Sequence, residues 1–289
     1  MKSKSPTRSI LIAATCLISA AYPCVSAAQL IPPAPAATPA GTLAYADIVD
    51  LADAAPLVAV AKIRNIIALP SDRAGAAPAG HRRLYIEANV TNLIRGDGGI
   101  SPTVRYLYDA PVDGRGKVPK LKKSDVILFA RRGSRPGEVQ LVARDAQLPA
   151  TPAYQSQLRA ILSELMASGA PPRIIGVGDA FHVAGTIAGE GETQIFLRTE
   201  TGDPVSLSIL RRPGQAPRWA VALGEIVDEA ARPPAPGSLL WYRLACSLPQ
   251  TLPERSVSAL QPQDAAVARA DYALVIQSLG RCDRSRSGS

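Results

Sequence analysis

Nine short runs of β-branched and apolar residues, each closed by Gly, Pro or Asp, constrain this chain more than any other feature. Runs punctuated this closely read as short strands joined by turns. The first five are Leu57–Leu69, Leu84–Ile94, Val104–Tyr108, Val126–Ala130 and Val139–Ala143. Between them stand the turns Arg95-Gly96-Asp97-Gly98-Gly99, Asp113-Gly114-Arg115-Gly116 and Arg135-Pro136-Gly137. The run Val126-Ile-Leu-Phe-Ala130 has no polar position, as in a strand covered on both faces. Five such strands predict a small closed or half-closed barrel.

The remaining four runs lie beyond a helix. Thr151-Pro152 opens it, with proline where no amide donor is needed. Tyr154, Leu158, Ile161, Leu162 and Leu165 then form one continuous apolar face. Gly169 and Pro171-Pro172 end it and mark the predicted boundary between domains at 43–169 and 170–283. Past them come Ile174–Thr186, Thr193–Thr199, Val205–Ile209 and Trp219–Leu223. In the last two, Val205, Leu207, Ile209, Trp219, Val221 and Leu223 alternate with Ser or Ala, which predicts half-buried strands in an antiparallel meander.

Helices flank both halves. Ile48, Leu51, Ala52 and Ala55 share a face over Tyr45–Ala55, before Pro56. Ser238 can cap Leu239–Cys246. Pro262 opens a last helix whose Ala268, Tyr272, Val275 and Leu279 share a face, and Gly280 can end it. The fold class is α+β, mainly β: an OB-like small barrel followed by a helix-backed antiparallel meander. The tail, residues 284–289, is polar and predicted to fray.

The first 27 residues read as a secretory signal peptide. Lys2, Lys4 and Arg8 precede an apolar run from Ile10 to about Ala21, and Val25-Ser26-Ala27 supplies a small-residue cleavage site. The apolar run is too short to span a bilayer, which takes ~20 residues, so no transmembrane anchor remains after cleavage. Residues 28–42 are a Pro/Ala-rich arm with too little apolar bulk to fold. Cleavage removes three cations and no acid, and takes the formal charge from +8 to +5. It also removes Cys16 and Cys24 and leaves Cys246 and Cys282. An even pair in an oxidising compartment predicts a disulfide, here stapling the ends of the last two helices. The compartment is periplasmic or secreted.

Three stretches carry a resemblance. They are Tyr45-Ala-Asp-Ile-Val-Asp-Leu-Ala-Asp-Ala-Ala-Pro-Leu-Val-Ala-Val-Ala-Lys-Ile63, Leu84-Tyr-Ile-Glu-Ala-Asn-Val-Thr-Asn-Leu-Ile-Arg-Gly96 and Ser124-Asp-Val-Ile-Leu-Phe-Ala130. Over roughly residues 43–148 the chain resembles OB-like barrels of exported proteins. The whole chain, with Gly191-Glu-Thr-Gln-Ile-Phe-Leu197, Trp219-Ala-Val-Ala-Leu-Gly-Glu-Ile-Val-Asp-Glu-Ala230 and Leu240-Trp-Tyr-Arg-Leu-Ala-Cys246, resembles an uncharacterised group of secreted proteins of alphaproteobacteria. The resemblance implies compartment and fold and assigns no activity.

Chemistry-bearing residues are sparse. The only histidines are His81 and His182. His81 lies in the basic turn Gly80-His-Arg-Arg. His182 follows Asp179 and precedes Glu190 and Glu192 across a turn. A hairpin that brought these four together would offer an imidazole and three carboxylates for acid–base work or a divalent ion. No GxSxG, HExxH, Walker or Rossmann pattern is present. Lys117, Lys120, Lys122 and Lys123 form the densest charge cluster, suited to an anionic envelope surface. Aromatic residues make up 4% of the chain and do not interleave with the cations, which argues against nucleic acid as a partner. The reading is therefore a non-catalytic binding or scaffolding protein of the envelope. It needs no cofactor or metal, and its partner is an envelope protein or an anionic envelope polymer. The alternative is an exported hydrolase or metal-dependent enzyme built on Asp179, His182, Glu190 and Glu192.

Overall fold

The computed structural model describes residues 43–70, 75, 77–224 and 232–286. The predicted signal segment, the Pro/Ala-rich arm and the last three residues of the tail lie outside them. α1 (Tyr45–Ala54) opens the described chain and buries Ile48, Leu51 and Ala52 on one face. It stops at Ala55, whose extended backbone is the one favoured before Pro56.

Six strands follow: β1 (Leu57–Ala68), β2 (His81–Arg95), β3 (Thr103–Pro111), β4 (Asp125–Arg132), β5 (Val139–Leu141) and β6 (Gln147–Pro149). They form one antiparallel sheet in the order β3-β2-β1-β4-β5, with β6 also paired to β4. β6 has no strand signature in the sequence; it forms where Val126–Leu128 offer it a partner. The sheet is open, so the predicted closed barrel is not formed by its ladders. Its two ends meet at one parallel bridge, Arg105 with Glu138, beside a 2.8 Å hydrogen bond from the Arg105 amide to the Gly137 carbonyl. β5, three residues long, gives that bridge no length over which to extend.

Leu57–Ala61 of β1 and Val126–Ala130 of β4 are buried at every position, so both faces of the sheet are covered at its centre. α1 packs on β4, and α2 (Pro152–Leu165) packs on α1 through Leu158, Ile161 and Leu162. α2 opens at Pro152 as the sequence predicts, and the Thr151 hydroxyl accepts from the Tyr154 amide and caps it.

The second sheet is the predicted meander, in the order β10-β9-β8-β7. Its strands are β7 (Ile174–Ala184), β8 (Gly191–Thr199), β9 (Val205–Arg211) and β10 (Arg218–Leu223). α4 (Pro262–Leu279) covers one face with Ala268, Tyr272 and Val275, and a 3-10 turn (Glu254–Val257) packs on β7. The other face carries exposed apolar residues, Phe181, Val183 and Phe196, with the two phenylalanine rings edge to face. Leu223, predicted to point inward with Trp219 and Val221, is exposed instead, at the end of β10.

The sheets have separate cores: the first is built from residues up to Leu162 together with Leu239 and Tyr242, the second from Ile174 onward. α3 (Leu239–Ala245), capped by the Ser238 hydroxyl, belongs to both: Leu239 and Tyr242 enter the first core, and Leu244 the second. Cys246 ends α3 and Cys282 follows Gly280, which ends α4 in a left-handed conformation (φ 71°). The cysteines are disulfide-bonded, with Cα atoms 5.1 Å apart, so the two helix ends are stapled as predicted. The tail departs from expectation. Residues 284–286 dock on the first half rather than fray, because three aspartates there accept their polar groups.

Candidate functional site

The register of β7 on β8 sets His182 opposite Thr193, and directly opposed residues share a face. That face is the one α4 covers. His182 Nδ1 lies 2.9 Å from Thr193 Oγ1, and the Thr193 hydroxyl donates to Asp271 Oδ2 at 2.5 Å. A hydroxyl has one proton to give, and the carboxylate takes it. Nδ1 therefore carries the ring proton and donates to Thr193. The other Asp271 oxygen accepts from Arg211 Nε at 2.7 Å. Thr193 and Asp271 are fully buried, and His182 is half-buried. Close approach of the imidazole to β8 requires glycine at 191, where a Cβ would stand 2.9 Å from His182 Cε1.

The other three predicted partners are elsewhere. Asp179 is exposed at the β7 bulge, where the register shifts between Val177 and Ala180. Glu192 pairs with Val183 on the opposite face, and its carboxylate accepts from Ser208 Oγ at 3.3 Å. The Glu190 side chain lies over Gly185 in the turn. Alternation along the strand separates Glu192 from His182, so the hairpin does not assemble the four. Among the described residues no three His, Cys, Asp or Glu side chains are grouped to hold a metal. No hydroxyl or thiol among them is hydrogen-bonded to His182 Nε2. The chain His182–Thr193–Asp271–Arg211 ties β7, β8 and β9 to α4 and fixes one imidazole tautomer. It lacks an assembled nucleophile.

His81 begins β2, exposed, with Nδ1 3.0 Å from the Ala79 carbonyl. The four lysines occupy the loop between β3 and β4 and are all exposed. Asp113 Oδ1 accepts from the amides of Arg115 and Lys117 and shapes the start of that loop. Lys123 adopts a left-handed backbone (φ 71°), and its amide donates to the Ile63 carbonyl at 2.9 Å. Among the described residues none of the four lysines is in an ion pair. Their charge is thus fully offered to solvent.

Besides the Thr193–Asp271–Arg211 part of the His182 chain, two further arrangements escape the sequence reading. The first is a groove of about 970 Å³ at the edge of the second sheet. Arg212, Arg218 and Arg232 surround it, Trp219 and Leu274 form part of its wall, and among the described residues Glu192 is its one acidic side chain. The signal in the sequence is that each arginine adjoins proline, in Arg212-Pro213, Pro217-Arg218 and Arg232-Pro233.

The second is an acidic stripe on α1, spaced by three residues. Asp47 Oδ2 accepts from the Ser285 amide at 2.7 Å and the Ser285 hydroxyl at 2.6 Å. Asp50 accepts from Tyr242 and Arg284, and Asp53 Oδ2 accepts from Arg243 Nη1 at 2.8 Å and Arg173 Nε at 3.1 Å. Burial alone would raise the Asp53 carboxyl, but hydrogen bonds and charge from the two arginines outweigh it and hold it below the usual range. Arg286 lowers Asp145, and Arg83 lowers Asp109, in each case first through direct hydrogen bonds. These aspartates hold chain segments together; all their strong partners are internal.

Neither a family model nor a curated protein matches this chain.

Proposed function

We propose that this is an exported envelope protein that binds or scaffolds and does not catalyse. The observation that carries the reading is the fate of the histidine–carboxylate chain. Its acid, Asp271, is fully buried and already engaged by Thr193 and Arg211, while the lysine loop and the arginine-lined groove carry exposed cations that make no ion pair among the described residues. A general acid–base site needs reach to a substrate proton; a binding site needs free polar groups on an accessible surface.

Export rests on the order of basic, apolar and small residues over 1–27 and is supported by the bonded pair Cys246–Cys282, a chemistry favoured in oxidising compartments. No helix among the described residues is long and apolar enough to cross a membrane. The OB-like reading of the first sheet is part of the proposal. Its support is the meander β1-β2-β3, the β1–β4 and β4–β5 pairs, and the parallel Arg105–Glu138 bridge between the ends. The partner is an envelope protein or an anionic envelope polymer, and the lysine loop is a contact point for the latter.

The test is capture of the tagged mature protein from periplasm, with co-purifying components identified and metal assayed on the same sample. A stoichiometric protein or polymer without metal supports the reading. A partner-free protein carrying a divalent ion overturns it in favour of a metal-dependent enzyme. Replacing Lys117, Lys120, Lys122 and Lys123 by Gln is expected to abolish retention on anionic vesicles, and wild-type retention is expected to fall with salt. Salt-independent retention would remove the lysine loop from the proposal.

A further inference from the structure

We propose that the free edge of β10, with the groove beside it, receives an extended segment of a partner protein in which acidic and apolar residues alternate. The inference rests on the binding reading above and gives it a site and a partner chemistry.

β10 is the last strand of its sheet. It pairs with β9 on one side, and among the described residues no strand pairs with it on the other. An edge strand presents unpaired amide and carbonyl groups at alternate residues, a template for a further strand. Natural edges are commonly blunted by lysine, proline or a bulge. The sequence Arg218-Trp-Ala-Val-Ala-Leu223 has one cation, at its first position, and no proline, and its pairing with β9 runs without a register shift.

The groove follows this edge. Pro217, Arg218, Trp219 and Ala220 line it from the strand, and Leu274 and Ser278 from α4. The Trp219 indole is held by a 2.9 Å hydrogen bond from Nε1 to Ser278 Oγ, so that wall is fixed before any ligand arrives. Arg212, Arg218 and Arg232 are exposed, and among the described residues none makes an ion pair. Against Glu192, the described lining residues carry a net charge of +2. This charge selects an anion. Side chains of an added strand alternate between two faces, so one row meets the arginines while the other meets the Trp219 and Leu274 wall. A partner strand with carboxylates on one face and small apolar groups on the other satisfies both.

The probe is a short labelled peptide alternating Glu and Val, with alternating Lys–Val and poly-Glu peptides as controls, titrated into the disulfide-bonded mature protein by fluorescence anisotropy. Hydrogen exchange of the β10 amides is followed in parallel. The Glu–Val peptide is expected to bind, Lys–Val not to bind, and β10 amides to become protected on binding. Arg218→Glu and Arg232→Glu are each expected to weaken binding about tenfold with an unchanged unfolding midpoint, since both side chains are exposed.

Three results overturn the proposal. Absence of Glu–Val binding is one. Binding that matches poly-Glu and leaves β10 exchange unchanged is another, and reduces the groove to a general anion surface. The third is β10 edge amides already protected in the free protein as strongly as those of β9, which means the edge is covered. A protein that captures a stoichiometric envelope partner and yet ignores the peptide keeps the binding reading and loses this site.

Discussion

Phe129 in β4 is fully buried, whereas Phe181 in β7 is 51% exposed, although both sit in the middle of apolar strand runs. The difference lies in what covers each sheet. The first sheet is buried on both faces over Leu57–Ala61 and Val126–Ala130, with α1 on β4 and α2 behind it. The second has α4 and the 3-10 turn on one face only, and β8 accordingly alternates buried and exposed positions. Continuous apolar runs therefore mark a sheet closed to solvent, and alternation marks one with a face left over. That leftover face carries Phe181, Val183 and Phe196, and the proposed partner site lies along the β10 edge, which no other described strand pairs. The first sheet offers solvent its loops instead, above all the lysine loop.

The comparison is tested most severely by the same truncation in both sheets. Phe129→Ala is expected to cost about 3–5 kcal/mol, and Phe181→Ala about 0.5 kcal/mol or less, by urea unfolding of the disulfide-bonded protein. Similar losses at both sites would mean that the second sheet's outer face is covered in solution.

The disulfide holds α3, which both cores share, to the end of α4. Replacing Cys246 and Cys282 by Ala is expected to cost about 3–4 kcal/mol for a closed loop of this separation. A single unfolding transition in the variant would sharpen the comparison by showing that shared packing on α3 suffices to couple the sheets. Two transitions would show that the covalent staple is what couples them.

Asp271→Ala is expected to cost about 2–3 kcal/mol, below the usual loss for breaking a buried pair because Arg211 is about one-third exposed and recovers water. The loss should be accompanied by a change in the His182 imidazole nitrogen shifts, since Thr193 would no longer be committed as a donor to the carboxylate. Unchanged shifts would refute the tautomer assigned to His182.

Acid should act through the first half. Asp109, Asp53 and Asp145 are all held below their usual pKa by arginine partners. A carboxyl depressed in the folded state stabilises it above about pH 4, and that contribution is lost as pH falls through the lower folded value. The melting temperature is thus expected to fall below pH 4 and to fall less steeply in Asp109→Asn, whose side chain is the most buried of the three. The same slope in the variant would exclude the Arg83–Asp109 pair as a source of acid sensitivity. The effect is the smallest of the set, because Asp145 is half-exposed and screened by solvent.

Much of the architecture could be read along the chain. Pro152, Pro262 and Gly280 bound helices because proline lacks an amide and glycine tolerates positive φ, and neither property depends on distant residues. The meander followed from short turns between alternating strands. β6 was illegible, since three residues have no periodicity and form a strand only through Val126–Leu128. The docked tail was equally hidden: Arg284–Arg286 look solvated until α1 and Asp145 present their carboxylates.

For the candidate site, the sequence by itself determined the scarcity of histidine, the cysteine pair and the lysine loop, while Asp271, in the apolar stripe between Ala268 and Val275, went unread. A buried carboxylate in such a stripe must find a donor, but pattern does not say which. Only the tertiary structure chose Thr193 and Arg211, because the choice depends on which strand lies under α4 and in what register. It also decided that Glu192 turns away from His182 and that Arg212, Arg218 and Arg232, far apart in sequence, rim one groove. The physical reason is the range of the forces involved. Backbone propensity and turn chemistry act over a few residues, whereas charge pairing and groove formation depend on distances that exist only once the two sheets and α4 have packed.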